Sequence, residues 1–190
     1  MKNIIIKIKK EHTDLVLKYG ICQTIGGFSN LNKSDLAKAS RLDFQYTGLY
    51  GELAFSLYRY QSIDKLKALL DNKFETLRPT RKGDNGYDDE ITHNNFTRFI
   101  DVKSTHITHP DEILSRNLNL VIPQREYHQK MIYVAAFPVG NSSDRADVHS
   151  VVLAGWVPNE SVTKRWRYDE AKFAVPASEL RDLSILQKIF

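Results

Sequence analysis

Cysteine is almost missing from this chain: Cys22 stands alone among 190 residues. A single thiol can form neither an internal disulfide nor a thiolate zinc cluster, and a reducing compartment such as a bacterial cytoplasm is the natural setting. Long apolar runs are lacking as well. None approaches the roughly 18–20 residues a membrane span requires. The opening Met1-Lys2-Asn3-Ile4-Ile5-Ile6 stops at Lys7, short of the about 7–15 apolar residues of a signal-peptide core. A soluble, cytoplasmic protein with no membrane partner is expected. Internal repeats and low-complexity tracts are absent. Metal-ligand spacing of the zinc type is also missing. His106 and His109 lie three apart, but no third and fourth ligand follow at a recognisable interval, so they read as surface histidines.

What is present is ordinary globular material. Hydrophobic residues at 42% and charged residues at 26% argue against disorder, and the length suits one domain spanning residues 1–190 with a substantial core. The net charge of +4 mildly favours a polyanionic partner. That charge is concentrated early. Residues 1–41 hold eight cations (Lys2, Lys7, Lys9, Lys10, Lys18, Lys33, Lys38, Arg41) against three acids (Glu11, Asp14, Asp35), so 8 − 3 gives +5. The N-terminal part is therefore the electrostatic candidate for touching phosphates, while its plainer reading is an edge strand protected by lysines.

Along the chain, residues 3–10 read as a strand and residues 20–33, rich in Gly, Ser and Asn, as a loop. Ser34 is a good N-cap for a helix that runs on to Tyr60, with a break expected at Thr47-Gly48. Residues 62–74 form an amphipathic helix with Leu66, Leu69 and Leu70 inward. A basic loop, residues 77–83, follows. Pro110-Asp111-Glu112 looks like a helix start. Residues 118–122 are a short apolar segment, and the polar run 124–130 suits phosphate or base contacts or a surface connection. Residues 131–137 are nearly all apolar, as in a central strand covered on both faces, and residues 148–157 give the next strand. In the tail, Lys164-Arg165-Trp166-Arg167-Tyr168 can stack on bases or anchor a C-terminal loop.

The chemistry concentrates in one acidic hairpin. Asn94-Asn95 between two strand-like runs predicts a two-residue loop, because Asn tolerates positive φ. Opposite residues then sum to 189, which sets Asp88 against Asp101 and Gly86 against Lys103. Side chains on a strand alternate faces, so Asp101 and Lys103 share one face while Ile100 and Val102 point to the other. Two carboxylates facing each other at about 4.5–5.5 Å between Cβ atoms are destabilising unless something neutralises them. A divalent cation would do so, and an oxygen-only site of this kind suits Mg²⁺. Upstream, Gly48 and Gly51 strip side chains from the helix beside Glu52, which would let it approach a sheet closely and bring Glu52 toward the metal.

Asp88 followed by Asp101-x-Lys103, with the earlier helical acid in Gly48-Leu49-Tyr50-Gly51-Glu52-Leu53-Ala54, resembles the signature of the PD-(D/E)XK nuclease superfamily. Gly86-Tyr87 stands where a proline is nominal, and the second acid is Asp, variants the superfamily tolerates. The resemblance covers roughly residues 47–157. It implies an α/β fold with a restriction-endonuclease-like core, a central mixed β-sheet flanked by α-helices, carrying basic N-terminal and C-terminal extensions. It further implies Mg²⁺-dependent hydrolysis of phosphodiester bonds, with Mn²⁺ able to substitute and duplex or branched DNA as partner. Asp88, Asp101 and the Val102 carbonyl would hold the metal, Glu52 would bind it directly or through water, and Lys103 would orient or deprotonate the attacking water. Asp84 and Asp89 are reserves, Asp89 facing away from Asp88. One site per chain makes a homodimer reasonable for double-strand cutting. The rival readings are a binding module that kept the fold without the chemistry and an RNA-cutting enzyme using the same residues.

Overall fold

The structure, a computed structural model, describes residues 3–25, 35–76, 87–93, 95–167 and 170–189. The elements in order are β1 (Ile4–Lys7), α1 (Lys10–Ile25), α2 (Asp35–Tyr60), α3 (Asp64–Thr76), β2 (Asp89–His93), β3 (Phe96–Ser104), α4 (Glu112–Ser115), β4 (Asn119–Pro123), β5 (Met131–Gly140), β6 (Val148–Pro158), β7 (Thr163–Arg167), β8 (Glu170–Pro176) and α5 (Leu183–Ile189). The protein is α/β, built on a mixed five-stranded sheet in the order β1-β6-β5-β3-β2. Within it β3 and β5 pair in parallel and the other strand pairs are antiparallel. A second sheet, β4-β8-β7, is antiparallel and was not foreseen from the sequence.

Alternation along the strands divides the core in two. Ile100, Val102, Ile132, Val134 and Ala136 face the helices, where Leu49, Leu53 and Leu70 meet them. Residues one position over on β5, Met131, Tyr133, Ala135 and Phe137, face α4 and the small sheet, packing on Ile113, Leu120, Ile122 and Val175. Residues 131–140 are therefore buried along their whole length, as their continuous apolarity implies. The basic first strand lies at the sheet edge against β6, and α1 and α5 add Leu15, Val16, Tyr19, Leu183 and Leu186 to the helical core. Among the described residues no helix is long and apolar enough to cross a membrane.

Local chemistry sets the element ends. His12 Nδ1 accepts the Lys9 N–H at 3.2 Å while the His12 N–H donates back to the Lys9 carbonyl at 3.0 Å, a reciprocal closure of the first turn of α1. Burial holds the His12 imidazole below its ordinary pKa, which keeps it a neutral acceptor. Ser62 Oγ accepts the Asp64 N–H at 3.0 Å and caps α3. Gln61, at φ 53°, ends α2. Contrary to expectation, α2 continues through Thr47-Gly48 without a break, and α1 continues past Gly20 to Ile25. Gly20 serves packing between helices: a Cβ there would lie 2.6 Å from the Tyr46 ring of α2.

The two glycines expected to bring α2 onto the sheet prove unlike. A Cβ on Gly51 would sit 2.0 Å from Ser104 Oγ and 3.1 Å from Ala136 Cβ, whereas a Cβ on Gly48 would meet nothing within 4 Å. Only Gly51 is needed for the close approach. Gly51→Ala is expected to cost about 1–3 kcal/mol through overpacking, and Gly48→Ala to gain up to about 1 kcal/mol of helix propensity. Urea melts of the two variants check this, and equal effects would refute the contact at Gly51.

Candidate active site

The hairpin forms as its turn chemistry predicts. Asn95 has φ 65°, and the ladder runs Asp89↔Ile100, Glu90↔Phe99, Ile91↔Arg98, Thr92↔Thr97, His93↔Phe96. Every pair sums to 189. Just before β2 the ladder falls out of step. Asp88 donates its N–H to the Ile100 carbonyl at 2.7 Å, although Ile100 is already the partner of Asp89. The Asp88 carboxylate consequently turns along the edge of β3, where Oδ2 accepts the Val102 N–H at 2.7 Å. It does not sit side by side with Asp101 on one face, as a regular continuation would require. The pairing foreseen for Gly86 with Lys103, and the reserve acid Asp84, lie outside the described residues.

Asp101 and Lys103 do share a face, with Lys103 Nζ 2.7 Å from Asp101 Oδ2. Asp101 is 6% exposed. Burial pushes its carboxyl up to about 7, the nearby Asp88 charge adds to the rise, and Lys103 offsets only part of it. For Lys103 burial alone would lower the pKa, but Asp101 and Glu126 outweigh it and the ammonium is held above its ordinary value. Glu126 Oε2 lies 2.8 Å from Lys103 Nζ. Its backbone is fixed from beneath: Tyr133 Oη donates to the Glu126 carbonyl at 3.1 Å and accepts the His128 N–H at 3.1 Å. Burial raises the Tyr133 hydroxyl to about 12, so it remains a donor. Glu126 was missed from the sequence except as part of the polar run before β5, which carried no spacing that could tie it to Lys103.

Glu52 projects from α2 into a pocket of about 240 Å³ that it lines together with Asp88, Val102, Tyr60 and Lys65. Glu52, Asp88 and Val102 thus line one pocket, while Asp101 and Lys103 lie on the sheet's other face, with Asp101 near enough to feel the Asp88 charge. Asp89 is buried on the helix side of the hairpin, as its alternation with Asp88 predicts. There it takes hydrogen bonds from Arg59, from Tyr60 Oη at 2.6 Å and from Lys65 Nζ at 2.7 Å. That network ties β2 to the ends of α2 and α3.

Could a metal sit at the edge? In a strand the N–H and C=O of one residue point the same way, so the Val102 carbonyl faces the edge that its N–H shares with Asp88. Two carboxylates and this carbonyl make an all-oxygen donor set, which fits Mg²⁺ or Mn²⁺. Among the described residues no three His, Cys, Asp or Glu side chains converge as a metal cage would. Glu52 and Asp88 share one pocket with Val102, and Asp101 belongs to the opposite face of the strand.

The Asp88 carboxylate holds two separable roles, acceptor and charge. Asp88→Asn keeps an oxygen for the Val102 N–H and removes the charge near Asp101, so in EDTA it is expected to gain up to about 1 kcal/mol. Asp88→Ala strands the N–H and is expected to lose about 1–3 kcal/mol. Thermal melts in EDTA compare the two, and a loss for both would make the charge itself structural. No protein-family model, curated protein or solved structure matches this chain.

Proposed function

We propose that this protein is a magnesium-dependent nuclease of the PD-(D/E)XK kind that hydrolyses phosphodiester bonds in DNA. The observation that carries the reading is the Asp101–Lys103 pair, bonded at 2.7 Å on one face of β3, with the Asp88 carboxylate on the backbone of the residue between them. Asp88, Asp101 and the Val102 carbonyl would hold Mg²⁺, which when bound supplies Lewis-acid charge to the phosphate. The chain's own groups do the rest. Lys103, kept protonated by two carboxylates, donates to a phosphate oxygen and offsets the charge that grows there in the transition state. A cation held this way does not take a proton from water, so its role is positioning and charge. Glu52 lines the same pocket as Asp88 and Val102, and from there it would bind the metal directly or through the attacking water. A net charge of +4 draws the polyanion in.

The clamp on Lys103 also favours a second reading, a module of the same fold that binds nucleic acid without cutting it. One assay separates the two. Supercoiled plasmid, linear duplex, single-stranded and branched DNA, and an RNA strand, are incubated with Mg²⁺, Mn²⁺ or EDTA. Metal-dependent DNA products are expected. Binding without products in any metal refutes the nuclease, and products from RNA alone change its substrate.

A further inference from the structure

Beside the proposed cutting edge lies a second pocket of about 500 Å³, within the range of small-ligand sites. It shares Val102 with the pocket that holds Glu52 and Asp88, and it takes in Lys103. One wall is α2 at Gly48, where a side chain would meet nothing within 4 Å. At the rim stands Phe44, 69% exposed, an aromatic face offered to solvent that the core does not use. Two polar atoms in the lining, Ser104 Oγ and Asn119 Oδ1, are buried and make no hydrogen bond among the described residues. Buried polar atoms normally have a partner. A lining that combines an exposed ring, unused hydrogen-bonding atoms and a neighbouring ammonium matches the needs of a base, its edge and its phosphate.

We infer that this pocket receives one unstacked nucleobase of the strand whose phosphate lies at Lys103, so that the substrate is single-stranded or carries an unpaired nucleotide. This rests on the nuclease reading for the position of the phosphate, but not for the base. The base stacks on Phe44, its edge meets Asn119, and the space left by Gly48 admits the ring. A paired base inside an intact duplex cannot enter without leaving its stack.

The test is binding in EDTA, followed by fluorescence anisotropy. The probes are a labelled DNA strand, the same strand with one abasic residue walked along it, and the matching blunt duplex. Parent protein is expected to bind the strand at least tenfold tighter than the duplex at equal salt, and one abasic position is expected to cost about fivefold or more. Gly48→Leu, which fills the pocket from a good helix former, should weaken the strand by the same factor and then ignore the abasic residue. Gly48→Ala, which puts one methyl into that space, should weaken the strand less than Gly48→Leu does, and Phe44→Ala, at an exposed position, should reproduce part of the loss. A flat abasic walk, or Gly48→Leu binding like the parent, overturns the inference. Since no metal is present, a parent that reads one base yet cuts nothing in Mg²⁺ keeps the pocket and removes the nuclease. A parent that cuts but shows the flat walk does the reverse.

Discussion

Replacing Lys103 by methionine is expected to lower the melting temperature at pH 8 by on the order of 10 °C and to leave it nearly unchanged at pH 5. The side chain is 21% exposed and bonds Asp101 and Glu126, so its removal strands a buried carboxylate, a change that costs about 3–5 kcal/mol. For a chain of this size each kcal/mol moves the melting point by roughly 2–4 °C. The pH dependence follows from Asp101. Its folded pKa is raised to about 7 from the ordinary 3.8, so the folded state binds the proton more tightly. The stability it adds is fully present below the unfolded pKa and is lost as pH rises through about 7. Without Lys103 one of the influences that lower that pKa is gone, and the window extends upward. At pH 5 the acid is neutral in both proteins and methionine replaces the lysine stem at little cost. Equal losses at pH 5 and pH 8 would assign Lys103 to packing alone.

The second large effect is expected at Asp101 itself. Asp101→Ala should abolish metal-dependent cutting, by about a thousandfold or more if the metal contributes several kcal/mol to the barrier, and calorimetry should show the Mn²⁺ binding isotherm gone. Lys103→Met should also stop cutting, yet bind Mn²⁺ more tightly than the parent, because the ammonium no longer competes for Asp101 Oδ2. The same titration should raise the melting point of Lys103→Met at pH 8, since a cation bound only by the folded state stabilises it by mass action. Both variants binding Mn²⁺ like the parent would remove Asp101 from the ligand set. The site would then have to be rebuilt around Asp88 and Glu52.

Much of this site could be read from the chain because local rules govern it. Asn94-Asn95 fixes the turn, the turn fixes a register whose pairs sum to 189, and alternation then places Asp101 beside Lys103 and Ile100 beside Val102. The misstep at Asp88 could not be read, because it depends on which carbonyl its N–H finds in three dimensions. Glu126 was hidden for the same reason: it reaches Lys103 across 23 residues through a turn braced by Tyr133. The small sheet joins residues 119–123 to 172–176, a pairing with no local periodicity to announce it. Glycine misled twice. By sequence Gly20 belongs to a loop and Gly48 marks a close approach, but in the fold the first packs against Tyr46 and the second opens onto the pocket beside Lys103.

The place of β1 in the sheet carries a consequence for synthesis. Ile4 pairs with Leu153, a separation of 153 − 4 = 149 residues. At roughly 5–20 residues per second on the ribosome, Ile4-Ile5-Ile6 therefore waits on the order of 10 s for its partner strand to appear. During that interval an apolar, β-prone triplet has no sheet to join, which is the condition that promotes association between nascent chains. The lysines around it, Lys2, Lys7, Lys9 and Lys10, serve as gatekeepers for that wait, keeping the triplet from its own kind until β6 emerges.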